Sequence, residues 1–229
     1  GKDLKKELVE KGNSHYAYKA YLLTLLNYGS DAKSTWIQSG LFYKDEPGYF
    51  DEIGITEKKT AEFTDSNSTR KTLDVYDKCN KGFIQRRTEF VNGDGTEKMI
   101  IPLYCDLLQS NRLLVDGMEL YFNFERNKDT FILMGEATGC SIVIKKLSVS
   151  VRRCQIHEKV KLAHINALQI SPFKYPIKQN KIHVASLNAG SEEYTFSSPN
   201  SKIPNKIIVG IITDKAYNGS LKDNPFNFT

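Results

Sequence analysis

Residues Met118-Glu119-Leu120-Tyr121-Phe122-Asn123-Phe124-Glu125 alternate without a break. Successive side chains of an extended chain point to opposite faces, so Leu120, Phe122 and Phe124 share one side and Glu119, Tyr121, Asn123 and Glu125 the other. The pattern predicts a half-buried strand. Asp116-Gly117 directly before it is a hairpin-turn signal, with Leu113-Leu114-Val115 as the other arm. Upstream, Phe83–Phe90 and Glu97–Cys105 flank Asn92-Gly93-Asp94-Gly95, a second turn rich in residues that tolerate positive φ. Downstream, Phe131–Met134 reads as a short strand and Ser141–Ile156 as a long one. The apolar phase of the long one moves from Ile142 and Ile144 to Leu147, Val149 and Val151 across Lys145-Lys146, as a β-bulge would produce. Lys181–Leu187, a weaker Tyr194–Ser197 and Lys206–Thr213 complete about nine or ten strands by this criterion.

Helical spacing is confined to a few stretches. Ser14 is a candidate cap for a helix over residues 14–27, in which Tyr16, Ala17, Ala20, Tyr21, Leu23 and Leu26 recur at helical intervals. Asn27-Tyr28-Gly29 supplies its stop, with Gly29 expected in left-handed geometry. A short helix over Asp31–Gln38, capped by Ser30 and ended by Gly40, follows. Glu57–Asp65 and Ser68–Lys78 carry few apolar residues and read as helical turns of an exposed insertion. From His157 to Gln169, Val160, Ala163, His164, Ala167 and Leu168 fall on one helical face, and Pro172 and Pro176 then break the chain. Strands that come in hairpins rather than alternating with helices disfavour a parallel sheet. The expected fold is therefore mainly β, an antiparallel jelly-roll β-sandwich with a few peripheral helices. Three parts are expected: residues 1–156, a helical connector over 157–176, and 177–229, whose three strands are too few to close a core alone.

The chain has 229 residues, 40% apolar and 26% charged, and a net charge of +5. That composition suits a folded core, and the mild positive charge falls short of an arm-type nucleic-acid binder. The longest apolar run, Ile207 to Ile212, is far below the roughly 20 residues of a membrane span. Cys79, Cys105, Cys140 and Cys154 form no CxxC pair and His15, His157, His164 and His183 no ligand spacing, so neither a metal nor a disulfide is expected. Asn92, Asp94 and Thr96 resemble the start of a calcium loop that fails at Leu103, where a bidentate Glu is needed. No nucleophile elbow, Walker loop or dinucleotide fingerprint is present, and no catalytic or cofactor-binding residue is assigned. Two features suit a non-catalytic binding module for glycan or nucleic acid. These are the tyrosines Tyr16, Tyr18, Tyr21 and Tyr28, and the basic pairs Lys58-Lys59, Arg86-Arg87, Lys145-Lys146 and Arg152-Arg153. The tyrosines serve equally well for packing, and each pair splits across two faces of a strand.

Longer runs add a resemblance. His15-Tyr16-Ala17-Tyr18-Lys19-Ala20-Tyr21, running on through Leu25-Leu26-Asn27-Tyr28-Gly29, is similar to a segment of the hexon-like major capsid proteins of Polinton (Maverick) elements and adintovirus-type relatives. Further motifs resemble that family in the same order: Leu41-Phe42-Tyr43-Lys44-Asp45, Asn80-Lys81-Gly82 with Arg86-Arg87, Asp106-Leu107-Leu108 with Arg112-Leu113-Leu114, and Asn127-Lys128-Asp129 with Leu133-Met134-Gly135. Leu162-Ala163-His164, Lys174-Tyr175-Pro176-Ile177, Tyr217-Asn218-Gly219-Ser220 and Asn224-Pro225-Phe226-Asn227-Phe228 complete the series. The resemblance implies a double jelly roll that assembles as homotrimers, with other capsid proteins, into an icosahedral virion shell made inside the host cell. No cofactor, specific nucleic acid or membrane span is implied. It makes residues 1–156 the later part of a first roll and 177–229 the opening strands of a second. A domesticated relative of such a capsid protein is the variant of this reading.

Overall fold

The computed structural model describes residues 15–54, 58–64, 70–76, 78–92, 95–136, 138–178, 180, 182–195 and 203–228, with only the backbone for 58–64, 70–76 and 91–92. The order of elements is α1 (Tyr16–Asn27), α2 (Ser30–Lys33), a 3-10 helix η1 (Trp36–Gly40), β1 (Lys58–Thr64), β2 (Arg70–Tyr76), α3 (Lys81–Asn92), α4 (Asp129–Ile132), α5 (Glu158–Ile170) and α6 (Asp214–Asn218). β1 and β2 pair antiparallel, Lys58 opposite Tyr76 and Thr64 opposite Arg70. No other strand is formed among the described residues.

The jelly-roll sandwich is thereby overturned. Residues 97–105, 118–125, 141–156, 182–187 and 206–213 form neither helix nor strand, and no ladder joins them. Alternation sets the pleat of one chain, whereas a sheet also needs a partner edge at about 4.8 Å. Phe83–Phe90 lies inside a helix instead. The Asn80 side chain accepts from Phe83 N at 3.1 Å, capping α3, and Ile84 turns inward. Of the turn expected at Asn92–Gly95, Asn92 ends α3, and Gly93 and Asp94 lie outside the described residues. Asp116-Gly117 does turn, with Gly117 at φ +90°, yet its arms stay unpaired. Phe131 and Ile132 belong to α4, not to a strand. The stretches Glu57–Asp65 and Ser68–Lys78, read as helical turns, contain β1 and β2. Ser14, Lys181 and residues 196–202 lie outside the described residues.

α1 and α5 occupy the two stretches with helical spacing. Gly29 is extended (φ −73°, ψ 177°) and caps α2; the left-handed residue is Leu41, which ends η1. α1 is held on several sides. Thr24 Oγ1 donates to Tyr104 Oη at 2.7 Å and Lys33 Nζ to Leu25 O at 2.8 Å, the latter satisfying a carbonyl that the helix end leaves without a partner. α5 starts at His157, whose Nδ1 accepts from Lys159 N, but none of its residues is buried.

The core gathers around α1, η1 and the start of α3, with Tyr18, Ile37, Cys79, Ile84, Tyr104 and Ala216 buried. Gly82 sits where α3 passes the 44–45 backbone, and a Cβ there would lie 2.6 Å from Lys44 O and 2.8 Å from Asp45 Oδ1. Gly82→Ala, which in an open helix stabilises by roughly 1 kcal/mol, is expected here to destabilise by about 1–3 kcal/mol through overpacking. Urea unfolding of the two proteins measures the sign.

Candidate functional site

Asp45 is the buried carboxylate at the centre of the folded part. Arg86 Nη2 on α3 donates to its Oδ1 at 2.6 Å while Nη1 donates to Tyr43 O at 2.8 Å. Asn224 Nδ2 donates to Asp45 Oδ2 at 3.0 Å. Around this centre Asn80 Nδ2 donates to Phe50 O at 2.9 Å, and Asn224 N donates to Asp51 Oδ1 at 2.6 Å. Asn227 Nδ2 reaches Asp51 Oδ2 at 2.9 Å. A buried charge needs such partners, and one guanidinium with amide donors supplies them. The network ties the 43–52 loop, the start of α3 and residues 224–227 into one clasp.

The clasp lays the C-terminal aromatics on α1. Tyr21 stacks on Phe226 with ring centroids 4.4 Å apart, and Tyr18 meets Phe131, Phe226 and Phe228 edge-on and Tyr217 face-on. His15 Nε2 lies 3.0 Å from Tyr217 Oη. Gly219 permits α6 to cross α4, since a Cβ there would meet Thr130 Oγ1 at 2.7 Å. Burial, with the neighbouring Tyr217 second, pushes the Tyr18 hydroxyl up to about 12. Burial and then the Asp45 charge push Tyr21 to about 12, with Arg86 opposing. The buried Tyr18 Oη has no hydrogen-bond partner.

The tyrosines proposed as a stacking platform are therefore spent on packing. Tyr18 is buried, Tyr21 is covered by Phe226, Tyr28 packs edge-on to Trp36, and Tyr16 Oη accepts from Tyr104 N at 2.9 Å. The basic pairs are scattered. Arg86 is in the clasp, Lys145 Nζ reaches Thr96 Oγ1 at 2.7 Å, and Arg87, Lys146, Arg152 and Arg153 are exposed. Lys58 and Lys59 fall where only the backbone is described. His157 caps α5 and His164 packs edge-on to Phe173. Among the described residues no three His, Cys, Asp or Glu side chains come together as metal ligands, and no disulfide links the cysteines. Beside the clasp an open depression of about 500 Å³ is lined by polar groups of both signs, including Lys44, Lys81 and Glu89. Tyr43 Oη there donates to Glu89 Oε1 at 3.1 Å, and burial followed by that bond raises its pKa.

Asp45, Arg86 and Asn224 stand in the motif runs of the sequence, but their mutual contact was not foreseen. They are 41 and 179 positions apart. Local signals existed for the ends only: Asp45-Glu46-Pro47-Gly48 and Asn224-Pro225 are turn chemistry.

A Caenorhabditis elegans protein described as "Uncharacterized protein F54H12.2" is 25% identical over 237 aligned positions, covering 97% of this chain. The chain spans 46% of that relative's length, about half of it. No family model matches the chain, and no solved structure does. No helix among the described residues is long and apolar enough to cross a membrane.

Two expectations follow. Removing one partner of a buried ion pair leaves the other uncompensated, so Arg86→Met is expected to cost about 3 kcal/mol or more, measured by equilibrium unfolding. Raised tyrosine values mean that the folded state keeps protons the unfolded state releases from pH 10.0 upward. Their contribution is thus complete below pH 10.0 and is lost as pH rises towards about 12. Tyr18→Phe removes one such group and an unpaired buried hydroxyl. It should be neutral or stabilising at pH 7 and should flatten the alkaline decline in melting temperature.

Proposed function

We propose that this chain is a structural subunit of a self-assembling shell, of the hexon-like major capsid kind its motifs resemble, acting through surfaces buried on association rather than through catalysis. The observation that carries the reading is the set of large apolar side chains left exposed on segments that form neither helix nor strand among the described residues. Val143 is 76% exposed, Val209 82% and Ile203 93%, and Leu147, Val151 and Ile207 are exposed beside them. Exposed apolar side chains in such number suit surfaces that are covered on association, since exposed apolar patches mark interaction sites.

A second support is where the motifs fall. The runs around 16–28, 41–45, 80–86, 127–135 and 217–228 converge on the clasp and its aromatic layer. In this reading they maintain the rigid part of the subunit and the open segments make its contacts. The expected assembly is a homotrimer that joins other capsid proteins in a virion, or its equivalent in a domesticated relative.

Sedimentation velocity and electron microscopy of the complete gene product test the proposal. Discrete trimers or uniform closed particles at micromolar concentration are expected. A compact, monodisperse monomer that unfolds cooperatively would overturn it.

A further inference from the structure

The C-terminal segment is bound in the manner of a ligand. Pro225 fixes one φ of the run Asn224-Pro225-Phe226-Asn227-Phe228, and Asn224 Oδ1 accepts from Phe226 N at 2.9 Å, so the run holds its own bend. Its two asparagine amides donate to Asp45, Phe50 O and Asp51, and its two phenylalanines enter the aromatic layer on α1. Just before the run, Leu221 O accepts from Gly135 N at 2.8 Å. Five consecutive residues thus carry most of the recognition, and they do so through side chains of fixed spacing.

The link that carries this segment is of another kind. Tyr175 Oη donates to Leu113 O at 3.2 Å and Lys178 N donates to Asp106 Oδ2, which holds the chain as far as residue 178. Beyond it, every described residue from 180 to 211 is exposed, and none belongs to a helix or strand. Packing along the link therefore does not decide which copy's nucleus the C-terminal segment reaches.

We infer that residues 214–228 are an exchangeable arm, which seats on the nucleus of a second copy of this chain through the contacts it makes within its own. The clasp itself specifies that occupant. Asp45 Oδ2 takes a buried amide donor, the face of Tyr21 takes a ring two residues further on, and Asp51 Oδ2 takes a second amide one residue after that. Asn224-Pro225-Phe226-Asn227 meets all three demands, and the sequence contains that run once. Reciprocal exchange between two copies remakes every bond of both clasps, so it is opposed only by the entropy of the link and of association. A segment on a long link meets its own nucleus at an effective concentration of about millimolar or less, which falls as the link lengthens. A neighbouring copy competes once the local protein concentration approaches that figure. The exchange concerns the arm alone and holds whether or not closed shells form.

Full chains with Cys105→Ser, Cys140→Ser and Cys154→Ser carry the test, Cys79 being buried. Gly135→Cys marks the nucleus of one chain and Leu221→Cys the arm of another. A Cβ added at Gly135 meets nothing within 4 Å, and backbones joined by a hydrogen bond lie within disulfide reach. Mixed at ~0.1 mM under mild oxidation, the two should form a mixed disulfide about tenfold faster than Gly135→Cys with Ile203→Cys, which lies on the exposed link. Adding Asn224→Ala and Phe226→Ala to the Leu221→Cys chain should remove that advantage. Equal rates for the two mixtures, or an advantage that survives those substitutions, would overturn the exchange. Both cysteines on one chain at ~1 µM check the geometry separately. Closure there without a mixed disulfide in the concentrated mixture confines the arm to its own chain and overturns the inference. Closure in neither overturns the docked arrangement from which it starts.

Discussion

A carboxylate taken out of water must be met by a cation and by hydrogen-bond donors, or the segment that carries it unfolds to find water. Asp45 is met by Arg86 from α3 and by Asn224 from near the end of the described chain. That requirement organises the folded part, because its two suppliers lie on segments that local structure would not bring together. Once Asn224 is seated, Phe226 is set on Tyr21 and Phe228 beside Tyr18. The aromatic layer that covers α1 follows from a polar contact. The close passage at Gly82 follows too, since Arg86 reaches the carboxylate only if the first turn of α3 runs against the 44–45 backbone.

Outside that nucleus the chain is governed by a different balance. Residues 118–125 and 143–156 have the composition of buried strands and the exposure of linkers. Backbone facing water loses little, because water satisfies its donors and acceptors, but each exposed Val, Ile or Leu forgoes roughly 1.5–3 kcal/mol available on burial. The stabilisation these residues could supply is not realised among the described residues. This division, a bonded nucleus and an open apolar periphery, is what gives the structural reading its physical basis.

Local physics was legible where it decides the outcome. The spacing of Tyr16, Ala20 and Tyr21, and of Val160, Ala163, His164 and Ala167, places α1 and α5 correctly because a helix closes its bonds within its own segment. Alternation at Leu120, Phe122 and Phe124 reported an extended chain and was taken further, to a sheet, which needs information about a partner that no single segment holds. At Phe83–Phe90 the error was local: Asn80, three residues before Phe83, is an N-cap signal, and the helix it starts buries Ile84. The clasp was legible only as motif runs, since nothing about Asp45 announces a partner 179 residues away.

Ordering the open segments has its own cost, and that cost shapes how association must proceed. Fixing a backbone takes about 1–2 kcal/mol per residue, so a long segment cannot be ordered by a few side-chain contacts. It is ordered only when ladder bonds and apolar burial come together, which makes the step all-or-none along the segment. Residues 126–129 and 142 are already tied through Arg126 and Asp129, and Asp116 is tied to Lys161 on α5. Tying them removes part of the chain entropy before any partner arrives, because the loop-closure term is met inside the subunit. On the reading proposed above, such segments order only together with a surface that covers their apolar side chains.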